Sequence, residues 1–133
     1  MIAVNLSPIQ FLHLDVVQHV AQTLRQTGLP ARCLELEITE GALMLDTRHA
    51  EQALLALREL VVRVVVDDFG TGYSSLAYLH RFALDKLKVD RTFLQGLPES
   101  ASDAQLVRTI MQLGQRLGLQ VLVEGVETEA QRE

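Results

Sequence analysis

Val64-Val65-Val66-Asp67-Asp68-Phe69-Gly70-Thr71-Gly72-Tyr73-Ser74-Ser75 runs from three β-branched residues into two adjacent carboxylates and then into a glycine-punctuated turn. The apolar run from Val62 to Asp67 reads as a short strand closed by a turn signal. Two like charges set against so apolar a run are costly unless a cation compensates them. Paired carboxylates at one strand end also form a ready divalent-metal site. Asp67 and Asp68 are therefore candidate site residues from the outset.

Four more segments on either side read as strands: Ile2 to Leu6, Cys33 to Thr39, Lys86 to Asp90 and Gln120 to Val126. Helical patterns lie between them. Ser7-Pro8-Ile9-Gln10 supplies an N-cap, a first-turn proline and a capping-box glutamine before an apolar stretch that continues to Leu24 and stops at Gly28 and Pro30. Ala50, Ala53, Leu54, Leu57 and Val61 line one face of a second helix. Leu106, Ile110, Leu113 and Leu117 line a later one, starting at Ser102 and ending at Gly118. Ser74 to Arg81 is a shorter helix, and Thr128 with Gln131 caps one more.

Strands alternating with helices of this length indicate parallel βα units, because a crossover between parallel strands needs a helix-sized connection. The fold class is α/β. No linker or low-complexity run divides the sequence, so residues 1–133 form one domain, with Pro98 to Ser102 as a loop.

Composition is that of a globular protein: 48% apolar and 22% charged residues. The single cysteine, Cys33, excludes a disulfide scaffold and reads as a small core residue. Arg63 breaks the best apolar run and the first residues lack a basic segment followed by an apolar one, so no membrane span and a cytoplasmic location are expected. A net charge of −5 argues against duplex DNA as a partner, which would require clustered Lys or Arg.

The polar residues that interrupt the strands fall at or near their C-terminal ends: Asn5, Glu37 and Glu40, Asp67 and Asp68, Lys88 and Asp90, Glu124 and Glu127. In parallel α/β folds that edge carries the chemistry. From Asn5 through Glu37, Asp67 and Lys88 to Glu124 the intervals are 32, 30, 21 and 36 residues. Their mean is about 30, close to the roughly 31 residues of a unit in a (β/α)8 barrel. A partial barrel of five units fits this spacing, as does a small open doubly wound sheet.

Five motifs in order, Asn5-Leu6-Ser7, Glu35-Leu36-Glu37-Ile38-Thr39-Glu40, Asp67-Asp68-Phe69-Gly70-Thr71-Gly72-Tyr73-Ser74-Ser75-Leu76, Leu87-Lys88-Val89-Asp90 and Glu124-Gly125-Val126-Glu127-Thr128, resemble those of the EAL-domain family of cyclic di-GMP phosphodiesterases. The resemblance spans essentially the whole sequence and favours the partial TIM-type barrel. It implies two divalent ions, Mg²⁺ or Mn²⁺, and hydrolysis of cyclic di-GMP to linear pGpG. It assigns Asn5, Glu37, Asp67 and Asp68 to the metals, with Asp67 bridging. Lys88 and Glu124 would hold and deprotonate the attacking water. Glu40 and Glu127 would brace the loop from Asp68 to Ser75, with Gly70, Thr71 and Gly72, and the metal shell, with Asp90 beside it.

The residue types suit that chemistry by themselves, since hard divalent ions prefer carboxylate and amide oxygens. Plainer readings stand beside it: Asn5 as a turn former, Glu37 as a solvated residue, Lys88 with Asp90 as a surface ion pair, and Glu127 as a charge near a helix N-terminus. His13, His19, His49 and His80 read as surface or packing residues. Asp68-Phe69-Gly70 matches a kinase magnesium motif, but no glycine-rich loop or His-Arg-Asp loop accompanies it.

The family's Glu-Ala-Leu strand, which carries one metal ligand, and its closing strands are expected to lie outside these residues. A domain truncated in this way would be weakly active or inactive alone, and its open edges leave room for a homodimer. A non-catalytic cyclic di-GMP receptor or dimerising module is the competing reading. Attached sensory or cyclase domains would be in keeping with the family.

Overall fold

A computed structural model describes residues 1–13, 15–70, 76–95, 99 and 101–132. Five strands, β1 (Ile2–Leu6), β2 (Leu34–Thr39), β3 (Arg63–Phe69), β4 (Lys86–Val89) and β5 (Gln120–Val123), form one sheet. They are all parallel and lie side by side in chain order. A doubly wound sheet reverses direction at a switch point. This sheet has no reversal, so the singly wound, barrel-type alternative is the one adopted.

The helices are α1 (Pro8–His13), α2 (Val16–Thr27), α3 (Glu40–Leu45), α4 (Thr47–Glu59), α5 (Leu76–Arg81), α6 (Ala101–Leu117) and α7 (Glu129–Arg132). Strand alternation sorts the two sheet faces. Leu36, Ile38, Val64, Val66, Leu87 and Val89 join Phe11, Leu43, Ala50, Leu54, Leu57 and Ile110 in one core beneath the helices. The alternate positions, Asn5, Glu35, Glu37, Val65, Asp67, Lys86 and Lys88, occupy the opposite, lumen-side face. No helix among the described residues is long and apolar enough to cross a membrane.

Local chemistry corrects several expected boundaries. The capping box forms as expected, with Ser7 N–H donating to Gln10 Oε1 at 3.0 Å and Gln10 N–H to Ser7 Oγ at 3.1 Å. The stretch beyond it is two helices and not one, because the Asp15 carboxylate accepts from Gln18 N–H at 3.2 Å and caps α2. Thr39 caps α3, and Asp46 caps α4 by accepting from His49 N–H at 3.0 Å. Val61 lies past the end of α4 with φ 65° and is 63% exposed, so it does not belong to the buried face. Cys33 is half-buried in a 3₁₀ turn just before β2. On α6 the buried positions are Ile110 and Gly114, while Leu106 is exposed.

Candidate functional site

The site forms where β2, β3 and β4 and the segment after β5 end. Lys88, on the lumen-side face of β4, is 9% exposed and stands among three carboxylates. Its Nζ lies 3.1 Å from Glu37 Oε1, 2.8 Å from Glu124 Oε1 and 3.9 Å from Asp67 Oδ1. Burial by itself disfavours the charged ammonium. The hydrogen bonds to Glu124 and Glu37 and the charge of Asp67 outweigh it and hold the Lys88 pKa above its ordinary value. Lys88 is thus a buried hub and not half of a surface pair with Asp90.

A β-bulge explains how two consecutive aspartates reach one site. Val66 pairs with Leu87 but Phe69 with Val89, so β3 carries one residue more than β4 over this interval. Val66 and Phe69 both enter the core under the helices. Strict alternation would send neighbours to opposite faces; the extra residue frees Asp67 and Asp68 from that rule. Asp68 takes up the bulge with φ 54°, and its N–H donates to Asp67 Oδ1 at 2.9 Å.

Asp68 in turn faces Asp90. Burial, the charge of Asp67 and a hydrogen bond with Asp90 raise the Asp68 pKa, with smaller contributions from the charges of Asp90 and Glu124. Asp90 is shifted the other way, principally because it accepts a hydrogen bond from Thr92 N–H at 2.7 Å, which also caps the 3₁₀ turn Arg91–Phe93. The hydrogen bond between the two carboxyl groups thus raises Asp68 and lowers Asp90.

Glu40, at the start of α3, is buried and its Oε2 accepts from Gly70 N–H at 3.1 Å. Gly70 has φ 95°, and a Cβ there would press on the Phe93 ring at 2.9 Å, so both conformation and space require glycine. Thr71 and Gly72 lie outside the described residues. Asn5 is exposed on β1, in register with Glu37. Glu127 is exposed and lines a small pocket with Arg91, Leu94, Gln95 and Gly125. Among the histidines, His49 sits on α4 with Nε2 2.8 Å from Phe11 O and its ring edge-on to Phe11, a packing role.

A second lumen ion pair lies below the site: Lys86 Nζ contacts Glu35 Oε2 at 3.0 Å and Oε1 at 3.3 Å. Its signal in the sequence was the shared spacing, since Glu35 to Lys86 and Glu37 to Lys88 are both separated by 51 residues. That offset has no meaning until the strand register is known.

The donor set of carboxylates and one amide suits a hard divalent ion. Glu40 Oε1 is buried with no hydrogen-bond partner among the described residues, a further oxygen left for a donor or a cation. Among the described residues, however, no three Asp, Glu, His or Cys side chains are gathered closely enough to hold an ion. The Lys88 ammonium stands among Glu37, Glu124 and Asp67 and offsets part of their charge.

Singly wound parallel strands with their charged residues collected at the C-terminal ends define a segment of a TIM-type barrel. The chain belongs to the EAL domain family, whose model matches residues 1–133. It is 47% identical over 130 residues to the cyclic di-GMP phosphodiesterase NbdA of Pseudomonas aeruginosa, a match covering 98% of this chain and 17% of NbdA. It superimposes with a TM-score of 0.92 and 44% identity on the solved MucR phosphodiesterase in complex with c-di-GMP, covering 98% of this chain and 53% of that one. A manganese and cyclic di-GMP complex of BlrP1 from Klebsiella pneumoniae matches with a TM-score of 0.86 and 33% identity, covering 98% of this chain and 33% of that one. The chain thus spans about half of the solved MucR chain and about a sixth of NbdA.

Proposed function

We propose that these residues serve a metal-dependent phosphodiesterase domain that hydrolyses cyclic di-GMP to linear pGpG. The observation that carries this reading is the convergence of Glu37, Asp67 and Glu124 on the buried Lys88, from three other strands or strand ends. Asn5, Glu37, Asp67 and Asp68 would hold two divalent ions, Mg²⁺ or Mn²⁺. Such ions supply an acidified water and offset the charge of the phosphate diester.

Glu124 is the group placed to take the proton of the attacking water, being half exposed at the rim and close to Lys88. Lys88 donates to that water and to the charge that develops on phosphorus-bound oxygen. Its hydrogen bonds to Glu37 and Glu124 fix the direction of the ammonium before substrate arrives. Glu40 holds the start of the loop after β3 through Gly70, and Asp90 orients Asp68.

The alternative is a cyclic di-GMP receptor without turnover. It is favoured by the Lys88 ammonium, which occupies oxygens of Glu37 and Glu124 at 3.1 and 2.8 Å. Hydrolysis of cyclic di-GMP with Mn²⁺ or Mg²⁺, compared with the Glu124→Gln variant, separates the two. Turnover that the variant loses supports the phosphodiesterase; binding with no turnover in either supports the receptor.

A further inference from the structure

Glu35 and Lys86 belong to no part of the chemistry described above, yet both lie in the lumen directly below it. Glu35 is 6% exposed, and both of its oxygens contact Lys86 Nζ, at 3.3 and 3.0 Å. Residues two apart on a strand share a face and stand about 7 Å apart. Glu35 with Lys86 and Glu37 with Lys88 therefore make two stacked pairs between β2 and β4, while the strand register sets Lys86 level with Glu37 across the buried Val65 of β3.

This stacking creates a problem of choice. Each ammonium has a second carboxylate one tier away, and each carboxylate a second ammonium. The Glu37 oxygen that binds Lys88 is engaged at 3.1 Å, whereas Glu35 holds Lys86 with both oxygens. The two-oxygen grip engages two of the three donors of the lower lysine and places a full counter-charge beside the ammonium. Without it, Lys86 would be a half-buried cation whose next carboxylate along β2 is Glu37. An uncompensated charge in such a place is costly enough to reorganise its neighbours.

We propose that Glu35 and Lys86 form a positioning pair: by satisfying one another they keep Lys86 from drawing Glu37 down into the lumen, and so leave Glu37 and Lys88 aligned at the rim. The proposal extends the site reading given above, but its geometric core concerns only these four side chains. Removing one member should disturb the upper pair, and removing both should not. Glu35→Gln frees Lys86 to compete for Glu37. Lys86→Met frees Glu35 to compete for Lys88. The double variant leaves no competitor.

The test is the ¹H–¹⁵N signal of the Lys88 ammonium in the full chain, assigned with Lys88→Arg, together with Mn²⁺ affinity by calorimetry. Expected are a shifted or exchange-broadened Lys88 signal in each single variant and a return to the wild-type signal in the double variant. Mn²⁺ affinity should fall about tenfold in Glu35→Gln, the usual scale for partners of a metal ligand, and recover in the double. A Lys88 signal unchanged in Glu35→Gln and in Lys86→Met overturns the proposal, even where thermal stability falls. So does a double variant as perturbed as the singles. Should one single variant fail to fold, the other decides. Absence of Mn²⁺ binding by the wild type would count against the metal reading alone, since the ammonium signal still decides the pairing.

Discussion

Asp68 holds φ 54°, a left-handed conformation that costs an ordinary L-residue roughly 1 kcal/mol and costs glycine almost nothing. Its carboxyl is also pushed towards protonation by burial, by Asp67 and by Asp90. An aspartate kept in such a place is unfavourable for folding and is expected to serve binding. Asp68→Gly should therefore stabilise the fold by about 1 kcal/mol while weakening Mn²⁺ binding, read by thermal denaturation and metal titration on the same sample. Lys88 shows the opposite balance. Lys88→Met leaves Glu37, Asp67 and Glu124 facing one another and should cost on the order of 3 kcal/mol in urea denaturation. Neutralising Glu37 as well, in Glu37→Gln/Lys88→Met, should recover part of that loss. The charged identity of these residues was legible in the sequence because polar residues stood out at strand ends. Their pairing was not, because Lys88 meets Glu37 across 51 residues and only the strand register brings them together.

Elements were legible where periodicity was long and obscured where short polar side chains reset the backbone. The apolar stretch from Pro8 to Leu24 reads as one helix, yet Asp15 satisfies the Gln18 amide and begins a new one. Six residues from Glu40 to Leu45 are too few to show a helical repeat, and α3 emerges only from the Thr39 cap. Asp15→Ala should cost about 1 kcal/mol of stability, the usual effect of losing an N-cap, measurable by thermal melting. The seam between α6 and β5 was hidden for another reason: its buried helical residue is Gly114, which a search for apolar side chains passes over. A Cβ at this position would collide with Val121 Cγ2. Gly to Ala in a helix interior normally stabilises by about 1 kcal/mol. Here Gly114→Ala should instead destabilise by about 1–3 kcal/mol, and Gly114→Ala/Val121→Ala should relieve much of that loss. Chemical denaturation of the three variants distinguishes the two signs.

At the scale of the molecule, spacing alone left a partial barrel and an open doubly wound sheet equally compatible with the sequence. Strand order decides between them, and order is a property of the assembled sheet. The shortest interval, 21 residues between Asp67 and Lys88, corresponds to the connection through the six-residue α5. The polar residues at strand ends share one edge only because every strand points the same way; on that edge Glu37, Asp67 and Glu124 meet Lys88, while Asn5 stands exposed on β1. Cyclic di-GMP hydrolysis in the presence of Mn²⁺, followed as pGpG formation by the full chain and by its Glu124→Gln variant, decides whether this rim is a phosphodiesterase site. The expected result is pGpG from the wild type, at a rate that falls by at least about a hundredfold when the glutamate can no longer take a proton. Equal rates for the two proteins, zero included, would contradict it.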